Sequence, residues 1–270
     1  MSTLTSTIKR TLQNFLGHPA TFLVRLVYRI VIVVPFQLVV SGLHLFSRQK
    51  LKDREPLSFC FIITSLIYTK GGQIQYESPR TVFSPETRAE QTLETIASIR
   101  DKVPGAKIIL VEAGLREDLP LGLDKKIDQY IYLGNRKLIR AACDSHYKSL
   151  GEIVMLVAAL KRSTIVTDFY FKISGRYHLN DQFKIANWKG RGLFVLKYIQ
   201  PDYICTRLYG LRSEALATWK SALWKSVPLA LISYAVENTL SKYIPRHQVH
   251  ALEVLGVSGI GASSQVEDID

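Results

Sequence analysis

The chain has 270 residues, 47% of them hydrophobic and 21% charged, which is enough apolar surface to bury the core of one large domain or two small ones. That composition excludes wholesale disorder, collagen-like repeats and a small disulfide-stapled scaffold. A formal charge of +12 suggests polyanionic partners, with nucleic acid, phospholipid and nucleotide diphosphates as the classes to separate.

Where the charge sits narrows the choice. Residues 1–56 carry eight basic side chains (Lys9, Arg10, Arg25, Arg29, Arg48, Lys50, Lys52, Arg54) against Asp53 and Glu55 alone, half of the net charge in a fifth of the chain. Between the basic groups runs TFLVRLVYRIVIVVPFQLVVSGLHLF, Thr21 to Phe46, whose uncharged part is the 17 residues Ile30 to Phe46. That is short for a spanning helix, which needs about 20 apolar residues. No small-x-small cleavage site follows before the cluster Arg48 to Arg54, so a signal peptide fits poorly. Basic residues on both sides leave the orientation open. The expectation is a peripheral, monotopic or single-pass anchor on an anionic leaflet, at the cytoplasmic face, held by apolar burial and phosphate attraction. The alternative is a helix pair buried on the main domain.

Beyond Pro56 the pattern alternates strand and helix. LSFCFIITSLIY (57–68) reads as a buried parallel strand. Ser84, Pro85 and Glu86 supply an N-cap, a first-position proline and an acidic first turn for a helix over 85–102, with Ala89, Leu93, Ile96 and Ile99 on one side. It stops at Pro104-Gly105, and AKIILVE (106–112) is the next strand. DQYIYL (128–133) is a third strand, followed by one long amphipathic helix capped by Asn135 and running to Arg162, with Gly151 marking a close contact or kink. TDFYFKIS (167–174) is a fourth strand ending at Gly175. YICTRLY (203–209) reads as a strand, and 212–225 and 229–244 as helices. The tail from Ser263 is polar enough to fray. Cys60, Cys143 and Cys205 are too scattered for a metal site or disulfide framework and read as small core residues.

In open α/β sheets ligands bind beyond the carboxyl ends of the strands. The residues to watch are therefore Thr64 and Ser65, Glu112, and Ser174-Gly175-Arg176-Tyr177. Arg176 offers a planar fork for phosphate and Lys172 a compact charge, and period-two alternation puts Lys172 and Ser174 on one face. Gly175 permits a sharp turn or a close approach.

The element order over 57–174 resembles the nucleotide-sugar-binding half of a GT-A glycosyltransferase. RTVFSPETRAEQTLETIASIR, YKSLGE and FKISGRYHLND are similar to a group of uncharacterised bacterial and viral proteins placed in that superfamily, over about residues 57–260. The resemblance implies an α/β fold with a mixed, mostly parallel Rossmann-type sheet flanked by helices. It divides the chain into a membrane-associating helical segment (1–55), a catalytic domain (56–262) and a polar tail (263–270). It also implies a nucleotide over Thr64 and Ser65, a nucleotide-diphospho-sugar donor with its diphosphate near the end of the fourth strand, and a glycan or lipid-linked acceptor, as in polysaccharide biosynthesis. Where most such enzymes carry Asp-x-Asp for a divalent metal, this chain has Lys172-Ile173-Ser174-Gly175-Arg176. No metal or other cofactor is therefore expected, and Arg176 and Lys172 would meet the leaving diphosphate. The one literal Asp-x-Asp, Asp268-Ile269-Asp270, falls in the tail.

Transfer to a hydroxyl needs a base. Glu237, set in the apolar stretch 229–240, is the candidate, with Asn238 as an acceptor contact and Asp181 as the competing base. Arg88, near the start of the first helix, is a further donor contact. Arg207 is a second phosphate or acceptor contact, because a charge on an apolar strand needs a partner. His247 and His250 lack a third ligand. A nucleic-acid partner is disfavoured, since half of the charge flanks an apolar segment and no basic-aromatic stacking run exists. A non-catalytic nucleotide-sugar binder is the alternative function.

Overall fold

The computed structural model describes residues 27–42, 57–70, 81–190, 192–261 and 267–270. The chain divides into two compact units, Met1–Leu45 and Phe46–Asp270. In the first, residues 27–42 are helical, with a π-helical turn at Arg29–Val33 followed by α1 (Val34–Gly42). Val27, Ile30, Val31, Ile32, Val34, Leu38 and Val39 are exposed on it. No helix among the described residues is long and apolar enough to cross a membrane.

The second unit is built on a seven-stranded sheet. Its strands are β1 (Phe59–Ser65), β2 (Lys107–Glu112), β3 (Gln129–Tyr132), β4 (Phe169–Ser174), β6 (Phe194–Leu196), β9 (Leu208–Arg212) and β10 (Val249–Ala251), ordered β10-β6-β9-β4-β1-β2-β3. The pairings β4-β1, β1-β2, β2-β3 and β10-β6 are parallel, and β9 runs antiparallel to both β4 and β6. This is the mixed, mostly parallel sheet expected from the sequence. Helix α2 (Pro85–Lys102) covers one face. The helices α3 (Lys137–Asp144), α4 (Lys148–Arg162), α6 (Leu216–Ala230) and α7 (Val236–Tyr243) cover the other, while α5 (Ile185–Trp188) packs on the α2 side. With both faces buried, the strands have no polar side to show, which is why β1 and β2 read as unbroken apolar runs. Alternation survives in three dimensions: Phe61, Ile63, Phe171 and Ile173 point to the α2 side, and Cys60, Ile62 and Tyr170 to the other.

The start of α2 follows its sequence closely. Ser84 Oγ accepts the Thr87 N–H at 3.2 Å, and Pro85 occupies the first turn. The long helix expected after Asn135 is instead two. Ser145 ends α3 by donating to the Ala142 carbonyl at 2.7 Å while its hydroxyl accepts the Tyr147 N–H at 3.2 Å, and α4 restarts at Lys148. The N-cap of α3 is Arg136, not Asn135. The two helices pack so closely that a Cβ on Gly151 would lie 3.0 Å from the Cys143 Cα. The expected strand 203–209 is divided between β8 (Tyr203–Ile204) and β9, and the helix expected over 229–244 begins only at Val236. All three cysteines are buried thiols, and burial pushes the Cys60 thiol up to about 12.

A small three-stranded sheet joins β5 (Tyr177–Leu179), β11 (Val257–Ile260) and β12 (Glu267–Ile269). The fraying expected of the tail does not hold for residues 267–270, while residues 262–266 lie outside the described residues. Strand β12 pairs with β11, and the Asp270 carboxylate receives Lys197 Nζ at 2.8 Å and the Leu255 N–H at 3.1 Å.

Asp128, at the amino end of β3, ties the lower edge of the sheet together. It accepts from Arg100 Nη2, Lys107 Nζ and the Ile108 N–H at 2.8–2.9 Å. Partial burial works to raise this carboxyl, but those three donors outweigh it and hold it below the usual aspartate range. Its contribution is therefore present above the unfolded-state pKa and lost as pH falls through the lower folded value. Asp128→Asn should cost about 1–2 kcal/mol at neutral pH, and urea titrations should show that deficit shrinking in acid.

Candidate functional site

The sheet order places a topological switch between β1 and β4, because the chain proceeds outward from β1 through β2 and β3 and then returns to the far side of β1 as β4. Ligand crevices of doubly wound sheets form at such a point, beyond the carboxyl ends of the two strands. A cavity of about 110 Å³ lies there.

Strand β1 contributes Thr64 and Ser65, and the turn after β4 contributes Ser174, Gly175 and Arg176. From α2 come Arg88 and Thr92, and from the first turns of α4 come Lys148 and Glu152. The cavity thus gathers three cationic side chains from three elements around one carboxylate. Of the residues expected from the sequence, Thr64, Ser65, Arg88, Ser174, Gly175 and Arg176 meet on this wall.

The wall is held from behind. Thr92 Oγ1 donates to the Gly175 carbonyl at 3.2 Å and Thr95 Oγ1 to the Tyr177 carbonyl at 2.9 Å, so two buried threonines of α2 fix the turn after β4. Gly175 has no left-handed backbone. It allows close approach, since a Cβ there would crowd Thr92 Oγ1 at 3.1 Å and Ile63 Cγ2 at 3.2 Å. The loop after β1 is tied by Arg88 Nε, which donates to the Leu66 carbonyl at 2.5 Å, and by Glu112, whose carboxylate receives the Ile67 N–H at 3.1 and 3.2 Å and the Gly114 N–H at 2.5 Å. Burial pushes the Glu112 carboxyl up, against the pull of the Ser65 hydroxyl, these N–H groups and the Arg88 charge. Glu112 therefore shapes the site from outside the cavity.

Lys172 sits differently from the sequence expectation. It does share the Tyr170 face of β4, but its side chain is only 1% exposed and its Nζ is engaged by Glu152 in an ion pair and by the Thr206 carbonyl at 2.8 Å. It stands behind the wall as a counter-ion. Thr206 also donates its hydroxyl to Glu237 Oε1 at 2.9 Å. Burial, reinforced by the Glu152 charge, raises the Glu237 carboxyl above its ordinary range. Glu237 is not on the cavity wall and adjoins it through Thr206, Lys172 and Glu152.

The remaining expected residues lie elsewhere. Asp181 is fully exposed and paired with Lys102 Nζ at 2.8 Å, at the carboxyl end of α2. Because Arg88 puts the opposite end of that helix at the cavity, Asp181 is a helix away and does not serve the cavity as a base. Tyr177 is buried on the α2 side, with the Arg207 guanidinium 5.6 Å and that of Arg176 6.0 Å from its ring centre. Arg207 lies between β8 and β9 rather than within a strand. Asn238 donates to the Asp202 carbonyl at 3.1 Å on the surface. Sequence reasoning missed Glu152 and Lys148 as site residues, although both belong to the YKSLGE segment.

No group of three His, Cys, Asp or Glu side chains suited to a metal ion occurs among the described residues. At the end of β4, where the sequence resemblance leads one to look for paired carboxylates, the donor set is Ser174, Gly175 and Arg176. Glu152 is ion-paired to Lys172, and Asp270 is committed to Lys197. These residues do not fit a divalent cation.

No family model matches the chain, and no curated protein matches it. Among solved structures, it is similar to the galactosyltransferase LgtC, in complex with donor and acceptor sugar analogues, at 10% identity and TM-score 0.45 over 71% of this chain and 72% of the other. It is also similar to a glycosyltransferase involved in glycosylation of the major capsid of PBCV-1, at 13% identity and TM-score 0.39 over 73% and 84%.

Proposed function

We propose that the chain is a glycosyltransferase that takes a sugar from a nucleotide-diphosphate donor and passes it to a glycan or lipid-linked acceptor. The observation that carries this reading is the convergence of Arg88, Lys148 and Arg176 on a cavity at the β1/β4 switch point. Such a site suits a phosphorylated ligand whose nucleoside extends from the mouth. The motif resemblance supports the same chemistry. Fixed cations in place of a carboxylate-held metal stabilise the departing diphosphate, with the guanidinium of Arg176 able to span two phosphate oxygens. On this reading turnover survives excess EDTA. On the same reading the base for the acceptor hydroxyl is Glu237, which adjoins the cavity wall through Thr206, Lys172 and Glu152.

The test is calorimetric titration with a panel of nucleoside diphosphates and nucleotide sugars, followed by Arg176→Ala. The expected result is binding of at least one panel member that weakens by at least about 1.5 kcal/mol in the variant, the scale of a charged hydrogen bond. Absence of binding by the whole panel would remove the proposal. Binding without turnover would favour the non-catalytic binder.

The apolar side chains exposed along 27–42, with Arg25 and the cluster Arg48 to Arg54 on either side in sequence, suit an anionic membrane surface at the cytoplasmic face. Deleting residues 1–50 should move the protein from the membrane fraction to the supernatant with its circular dichroism unfolding transition retained. A truncated chain that no longer folds would refute the anchor.

A further inference from the structure

Among the described residues Glu152 is the one acidic side chain on a wall otherwise supplied with cations, and an unscreened carboxylate there would repel the phosphorylated ligand proposed above. Its neighbour removes that conflict. Lys172 forms an ion pair with Glu152 while buried to 1% exposure, approaching from inside the protein through the layer between β4 and α4. Lys172 has little freedom to leave, because the Thr206 carbonyl holds it at 2.8 Å and the Tyr209 ring lies 5.9 Å away. Glu152 Oε1 is sealed from solvent, yet the side chain as a whole keeps 25% of its surface exposed and lines the cavity. The carboxylate is thus neutralised from behind and open in front. A carboxylate only accepts hydrogen bonds, so what it can take from the cavity is a donor group, and the donors nearest the phosphates of a nucleotide or nucleotide sugar are the ribose and sugar hydroxyls, the base N–H groups lying farther along the molecule.

Resting on the proposed function, we infer that Glu152 is the specificity-determining side chain of the cavity, accepting a hydrogen bond from a ribose or donor-sugar hydroxyl, with Lys172 as its positioning residue. Arg88, Lys148 and Arg176 meet the phosphate, and Glu152 requires the ligand to be a phosphorylated polyol. Phosphate charge alone then binds more weakly, because it forgoes the hydrogen bond to the open side of the carboxylate.

The wild-type protein tests this without any variant. Affinities are measured for inorganic pyrophosphate, for uridine, guanosine, adenosine and cytidine diphosphates, for their 2′,3′-dideoxy counterparts, and for UDP-glucose and GDP-mannose. The expected result is a loss of about tenfold to a hundredfold for the analogue lacking the recognised hydroxyl. A loss in the dideoxy series assigns the ribose, and a gain of the nucleotide sugar over its diphosphate assigns the sugar. Glu152→Gln should diminish that preference, because a neutral amide oxygen is a weaker acceptor than a carboxylate, while binding pyrophosphate at least as well. If Glu152→Gln is unstable, Glu152→Gln with Lys172→Met, which removes both charges together, serves the same comparison. Equal affinity for hydroxylated and deoxy ligands in the wild type, or an undiminished preference in either variant, overturns the inference and leaves the phosphate site standing. If none of these ligands binds, the proposed function itself fails.

Discussion

Lys172→Met should be the most destabilising single change at the site, lowering folding stability by about 3–5 kcal/mol, the cost of breaking a buried ion pair from one side. The lysine is almost fully enclosed, and its ammonium serves both the Glu152 carboxylate and the Thr206 carbonyl. Methionine fills nearly the same volume, so packing is kept and the loss is electrostatic. Glu152 is left with an uncompensated negative charge near Glu237, whose carboxyl is already raised by burial and by the charge of Glu152. Urea denaturation measures the effect. A variant of unchanged stability but weakened nucleotide affinity would show that the ammonium serves the ligand and not the fold.

Glu237→Gln should lower turnover by roughly 100-fold or more, the usual loss on removing a general base, while donor affinity stays at its wild-type value. Glutamine retains an oxygen to accept the Thr206 hydroxyl, which now bonds Glu237 Oε1 at 2.9 Å, so the local structure has no reason to collapse. Burial, and next the charge of Glu152, hold this carboxyl above the ordinary glutamate range. The N–H groups at the start of α7, the Thr206 hydroxyl and Lys172 pull the other way. A raised value makes a better proton acceptor near neutrality, and the acid limb of the rate profile should lie above the ordinary glutamate range. Steady-state rates and donor titrations on the same preparation separate the two effects. Turnover that survives the substitution would assign the proton to another group.

Much of the sheet was legible because parallel strands buried on both faces announce themselves as short apolar runs, and β1, β2 and β4 fall within the expected segments. The start of α2 was legible because its cap is local: Ser84, Pro85 and Thr87 are neighbours in sequence. The break between α3 and α4 was not, because Ser145 looks like any helix-tolerated serine until its hydroxyl is seen bonding both sides of the turn. Half of the site followed from strand ends, since Thr64, Ser65, Ser174, Gly175 and Arg176 stand where β1 and β4 stop. Glu152 and the true setting of Lys172 needed the third dimension. Alternation puts Lys172 on the correct face, but only the packing of α4 over β4 shows a carboxylate waiting there. Asp181 misled because proximity in sequence to the SGRY turn is cancelled by β5, which carries the chain along α2 toward its far end.

The clamp on the turn after β4 is made through main-chain carbonyls, those of Gly175 and Tyr177, which accept from the hydroxyls of Thr92 and Thr95. Such a clamp does not depend on what residues 174 and 176 carry. The scaffold and the recognition surface are therefore partly separable: the carbonyl clamp makes no use of the side chains at those two positions, whereas the two threonines are the clamp itself. A combinatorial library at positions 174 and 176 would sample ligand preference on a backbone that stays where it is, which makes this turn the natural place to retune the protein toward a different anion.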